Sequence, residues 1–221
     1  YSESRGREAA GISINTGSSI DVLKEAVSAT SFIRSKRFKV FFNREITKYQ
    51  NNINDSNDDN KKNLAIIGHS RLVTNGYQSD NSNNQPIVIP GMVGIHNGII
   101  TNEKELWDRN LDLKRDFLVD TEILLKLFRK NLDKENDIKK SIRLTYELIK
   151  GSASTAFFID NLPLFTLSTN TGALFYLENK NENFFAFASE RFILQKLINS
   201  SGFKSVIGAS KIRQLKAFNS L

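Results

Sequence analysis

Two short apolar runs, Leu64–Ile67 and Met92–Ile95, each end in a polar cluster carrying His, Asn, Arg or Gly. The stretch from Leu64 to Trp107 is arranged around that pair. Apolar runs that stop in such clusters read as strands delivering functional groups to one rim of a sheet. The clusters are GHSRLVTNG (Gly68–Gly76) and HNGII (His96–Ile100), and both are expected in turns. Taken alone, Asn97-Gly98 is simply a turn dipeptide. His69 and His96, the only histidines, are equally consistent with satisfied strand-end side chains.

Composition removes several function classes. With no cysteine among 221 residues, disulfides, thiolate metal sites and an internal thiol nucleophile are excluded. Two histidines without a spaced ligand cluster argue against zinc, and no metal is expected. No apolar run approaches membrane-spanning length and no signal peptide is evident, so the default location is the cytoplasm, with no membrane partner. The net charge of +7 raises nucleic acid as a partner. The densest basic segment is Arg34–Lys48, but Phe38, Phe41, Phe42 and Tyr49 recur there at roughly helical spacing. That pattern favours a buried aromatic stripe under a solvated helix face over base-stacking platforms.

In chain order, GISIN alternates as a strand, and Ser19–Ala29 reads as a Ser-capped helix with Ile20, Leu23, Ala26 and Val27 on one face. A second helix covers the basic segment. Asn51–Asn63 is too polar to join a core and reads as a surface loop. Asn102 with Glu105 resembles a capping box opening a short helix through Trp107. Asp120 opens another helix with Ile123, Leu124, Leu127 and Phe128 as its stripe, and Asp137–Lys150 forms a third. Strands are expected at Ser154–Asp160, Pro163–Thr169, Ala173–Leu177 and Phe184–Ala188, then a helix over Glu190–Asn199 capped by Ser189. Hairpins mixed with helices indicate an α+β fold with a mixed or antiparallel sheet. Ser70 follows His69, but neighbours on a strand point to opposite faces, which disfavours a serine hydrolase.

Six motifs occur in order: RGREAAG (Arg5–Gly11), GHSRLVTNG, NNQPI (Asn83–Ile87), HNGIITN (His96–Asn102), VDTE (Val119–Glu122) and FASERFIL (Phe187–Leu194). Together they resemble the glutaminase domains of class II glutamine amidotransferases, which are N-terminal-nucleophile hydrolases. The resemblance covers nearly the whole chain. It implies a four-layer α/β/β/α sandwich over residues 1–221 as one glutaminase-like domain. It also implies L-glutamine as substrate, no cofactor, and a synthase domain or partner protein that receives ammonia. A homo-oligomer is compatible with this reading.

The residue chemistry fits those roles. Arg71 offers a planar fork for the glutamine carboxylate, and the Thr74 hydroxyl adds a donor. Asp120 suits the α-ammonium. Asn97 and Gly98 suit an oxyanion hole, with an amide side chain and an unobstructed N–H. Arg5 and His96 support the site. Singly, Arg71 is equally an ion pair and Asp120 an ordinary helix cap.

The chain departs from the family in lacking the nucleophile. The family's cysteine lies upstream of the RG segment and is followed by the first core strand. Because the one methionine is Met92, Tyr1 is no translation start, and the expectation is that strand and cysteine precede it. Tyr1 itself cannot serve as the nucleophile. The rival reading is a pseudo-amidase that binds glutamine or serves as an assembly surface. Leu72, Val73 and Asn75 also differ from the usual residues. RGREAAG and NNQP lean toward amidophosphoribosyltransferases and HNGII toward glucosamine-phosphate synthases, so both acceptor classes stay open.

Overall fold

The computed structural model describes residues 2–55, 63–71, 81–160, 162 and 165–221. GISIN lies in β1 (Ala9–Asn15), as its alternation implies. The expected helix over 19–29 is instead strand β2 (Ile20–Glu25). Gly17, at φ 84°, turns the chain, and the Thr16 N–H bonds to the Ser19 carbonyl, so 20–25 folds back on β1. Pairing decides against the helical spacing: Leu23 sits opposite Ile12 in the core, whereas Val27 is 37% exposed. Helix formation begins later, at α1 (Ala29–Arg34), where the Ser28 hydroxyl accepts the Ser31 N–H.

The basic segment forms α2 (Lys36–Asp55), which extends well into the asparagine-rich stretch; the remainder expected as loop, 56–62, lies outside the described residues. Phe41 is buried and Phe38 and Phe42 pack beside it on β1 and α1. Arg37, Arg44 and Lys48 form ion pairs with Glu25, Asp21 and the fully buried Glu45, which offsets much of the local positive charge. β3 (Ala65–Arg71) then pairs with the other side of β1, giving the antiparallel order β2-β1-β3.

The larger sheet follows. β4 (Ile87–Ile89) and β5 (Met92–Ile100) form a hairpin across Pro90 and Gly91. β5 runs through the whole HNGII cluster, which is therefore strand and not turn, because every residue from Met92 to Ile100 has a partner on β6 (Gly151–Ile159). β7 (Phe165–Thr169) continues the sheet. Between β5 and β6 lie α3 (Glu103–Arg109), α4 (Asp120–Glu135) and α5 (Ile138–Leu148). Asn102 precedes α3 but does not cap it. Its Oδ1 accepts the Lys150 N–H and its Nδ2 donates to the Leu148 carbonyl, tying the two chain segments together. The predicted α4 stripe is fully buried against the sheet, each such side chain contributing about 1.5–3 kcal/mol. Asp137 caps α5 through the Lys140 N–H, and α5 ends at Leu148, two residues short of the expected Lys150, with Gly151 opening β6.

A third sheet holds β8 (Phe175–Asn179) and β9 (Phe184–Ala188), followed by α6 (Arg191–Ile198) and α7 (Lys204–Ile207). Glu190, not Ser189, occupies the cap position of α6. Two short strands, β10 (Arg213–Gln214) and β11 (Asn219–Ser220), join β8 and β7 respectively. All described pairings are antiparallel.

The layers follow from the apolar clusters. α4 and α5 cover one face of the large sheet. Its other face meets the two smaller sheets through Ile67, Ile95, Phe158, Leu167 and Leu174. α1 and α2 close the outside of β1–β3, and α6 and α7 close the outside of β8–β9. The result is a four-layer α/β/β/α sandwich, the α+β architecture expected from the motifs. Among the described residues no helix is long and apolar enough to cross a membrane.

Candidate functional site

Arg71 ends β3 at 6% exposure, its guanidinium carried into the protein by a strand that pairs throughout with β1. One nitrogen, Nη1, donates to the Asn83 carbonyl at 2.9 Å and to Asn84 Oδ1 at 2.8 Å. Burial depresses its pKa, while the negative charges of Asp120 and Glu8 oppose that shift. A buried guanidinium with a carboxylate nearby is a ready binding group for a second carboxylate.

Asp120 is the first residue of α4, where the helix dipole favours a negative charge. Burial alone would raise its pKa, but bonding and charge at His96 and the N–H groups of Ile100 and Thr121 hold it below the usual aspartate value. Oδ2 accepts the Ile100 N–H at 2.9 Å, and Oδ1 lies 3.6 Å from His96 Nδ1. His96 Nε2 stands 3.2 Å from the Ser152 carbonyl, an atom that only accepts, so Nε2 carries a proton. Nδ1 then faces Asp120 and the Thr121 hydroxyl, the latter at 3.4 Å.

β5 is paired with β6 on one edge, and beyond Gly94 its other edge is met, among the described residues, by side chains instead of a strand. Gln85 takes the main chain of His96 there: its Oε1 accepts the N–H at 2.6 Å and its Nε2 donates to the carbonyl at 2.8 Å. Asp120 takes Ile100 two steps further on. The period-two alternation of a strand puts the Gly98 N–H on that same edge, between these two. Gly98 has φ 147°, and a Cβ there would lie 2.0 Å from the Ser152 carbonyl oxygen, so the position excludes any side chain.

Asn97, half-buried, lines a groove of about 450 Å³. Gly68, His69 and Ser70 of β3 line one side of this groove. Phe187, Ala188 and Ser189 line the other, with Ile95 and Ala156 beneath. Among the described residues β3 pairs only with β1 and β9 only with β8, so each borders the groove as the edge strand of its sheet. Ser70 is not poised as a nucleophile, since its hydroxyl donates to the Gly6 carbonyl at 2.8 Å.

The structure thus brings Arg71, His96, Asn97, Gly98 and Asp120 together from β3, β5 and α4. Thr74 and the side chain of Arg5 lie outside the described residues. Asn83, Asn84 and Gln85, to which sequence reasoning assigns no role, bind Arg71 and β5 directly. Their signal was present as an unbroken polar run up to Pro86, in which Asn83 and Asn84 are almost completely buried.

Residues 69–196 match the family model described as a glutamine amidotransferase domain. Glutamine–fructose-6-phosphate aminotransferase (isomerizing) of Bacillus spizizenii is 28% identical over 183 residues, covering 81% of this chain and 25% of that protein. The Bacillus licheniformis enzyme of that name is 29% identical over 147 residues, covering 64% of this chain and 24% of its own length. The chain therefore spans about a quarter of these relatives. In fold it is similar to glutamine phosphoribosylpyrophosphate amidotransferase of B. subtilis, with TM-score 0.63 at 20% identity over 97% of this chain and 40% of that one. A second structure, described as the allosteric regulatory enzyme of purine biosynthesis, aligns with TM-score 0.64 at 21% identity, covering 98% and 41%. With more than half its length matched by the family model, the chain belongs to the class II glutamine amidotransferase domain family.

Proposed function

We propose that this chain is a glutaminase domain that hydrolyses the side-chain amide of L-glutamine and passes the ammonia to an acceptor site on another domain or partner. The observation that carries the reading is the convergence of buried Arg71 and Asp120, from β3 and α4, beside the outward edge of β5. Arg71 binds the α-carboxylate and Asp120 the α-ammonium, so one amino acid is held at both charged ends. Thr74 adds a donor to the carboxylate, and Arg5 and His96 support the arrangement.

Thiol attack on the amide carbon forms a carbon–sulfur bond and moves the carbonyl electrons onto oxygen. The Asn97 amide and the Gly98 N–H stabilise that oxyanion. Collapse breaks the carbon–nitrogen bond as the leaving nitrogen takes a proton, releasing ammonia. Water then cleaves the thioester to give glutamate and regenerate the thiol. The thiol comes from a residue outside this sequence, since none of the 221 residues is cysteine. The groove beside Asn97, bordered by the edge strands β3 and β9 of the described sheets, supports entry of an extended segment that carries it.

The same lack of cysteine favours one alternative, a domain that binds glutamine without turnover. A glutamate-release assay on the full-length protein separates the two. Turnover supports the glutaminase; saturable glutamine binding without turnover supports the binding module.

A further inference from the structure

The turn that holds Arg71 is itself gripped from below. On β2, Lys24 directs its ammonium at three carbonyl oxygens of that turn: Ser82 at 3.1 Å, Asn84 at 2.7 Å and Pro86 at 3.1 Å. A lysine ammonium has three N–H donors, so three converging carbonyls match its full capacity. Gly11, opposite Lys24 in the register, lets the turn come close enough. A Cβ at Gly11 would stand 2.1 Å from the Gln85 carbonyl oxygen.

We infer that Lys24 is a positioning residue for recognition of the substrate's α-carboxylate, acting on Arg71 through this turn; the inference rests on the glutaminase reading. The links run one way. Lys24 fixes the carbonyls of 82, 84 and 86, and the same turn presents the Asn83 carbonyl and Asn84 Oδ1 to the Arg71 guanidinium. Asp120 itself bonds to the Ile100 N–H and stands beside His96 Nδ1, and the turn reaches this end of the site only indirectly, through Gln85 on the His96 main chain and Asn83 on the Leu118 N–H. Loss of the ammonium leaves carbonyls unsatisfied and frees the turn, so Arg71 loses the fixed positions of two direct partners, whereas Asp120 keeps its direct bond to the Ile100 N–H and is disturbed less.

L-Glutamate and γ-aminobutyrate differ by the α-carboxylate alone, and calorimetric binding of each to the full-length protein tests the inference. The wild type should prefer L-glutamate. Lys24→Met should weaken L-glutamate binding roughly tenfold and leave γ-aminobutyrate within about twofold, with Lys24→Arg recovering part of the loss. Equal weakening of both ligands, or an unchanged preference, overturns it. Should Lys24→Met fail to fold, Lys24→Gln is scored by the same criteria. A wild type indifferent to the α-carboxylate overturns the role given to Arg71, and this inference with it.

Discussion

Gln85 meets His96 as a neighbouring strand would, accepting its N–H at 2.6 Å and donating to its carbonyl at 2.8 Å. One side chain thereby completes the edge of β5 where β4 has ended, and its Nε2 also reaches the Thr121 hydroxyl beside Asp120. Replacing it by leucine leaves two buried main-chain groups without partners. Gln85→Leu should cost about 2 kcal/mol of stability, or roughly 4–8 °C in Tm for a chain of this size, readable by calorimetry.

Arg71→Lys keeps the charge and loses the fork. Lysine cannot serve Asn83, Asn84 and a carboxylate in one plane, so KM for glutamine should rise roughly ten- to a hundredfold while kcat falls less. Initial rates of glutamate release measure the split. A loss confined to kcat would contradict substrate binding by Arg71.

Asp120 sets a pH dependence. Its folded pKa is depressed, so the stability it contributes is complete above the ordinary aspartate value of about 3.9 and is lost as pH falls through the lower folded value. Below pH 4, denaturant midpoints of the wild type should therefore fall more steeply than those of Asp120→Asn.

Tyr146 gives a second, at high pH. Burial pushes its phenol up to about 12, against which its bonds with Ser168, at 2.7 Å, and Thr155 act only in part. The unfolded phenol ionises near 10, so between about 10 and 12 the unfolded state holds fewer protons and stability falls as pH rises. Absorbance titration should show one late-ionising tyrosine among the five, and Tyr146→Phe should abolish it.

The α4 stripe was legible because burial on one face imposes a helical period on Ile123, Leu124, Leu127 and Phe128. Residues 20–25 were misread because Ile20 and Leu23 satisfy a helical period and a strand equally well. Only the hairpin closed at Gly17 decides between them. HNGII was misread as a turn for a related reason: Asn-Gly favours turns locally, but nine consecutive pairings with β6 outweigh that preference. Arg71 and Asp120, the charged ends of the proposed site, lie in motifs visible in the sequence. The turn beneath Arg71 was not, since a lysine at position 24 and carbonyls at 82, 84 and 86 meet only once the chain has folded.

Turnover requires an attacking thiol beside Asn97 and Gly98. The most direct measurement is the intact mass of the full-length protein before and after exposure to a diazoketone analogue of glutamine, which alkylates such a nucleophile. A single adduct is expected on a cysteine outside these 221 residues, formed more slowly in Arg71→Lys. A protein that binds glutamine yet takes up no adduct would contradict catalysis and leave the binding module in its place.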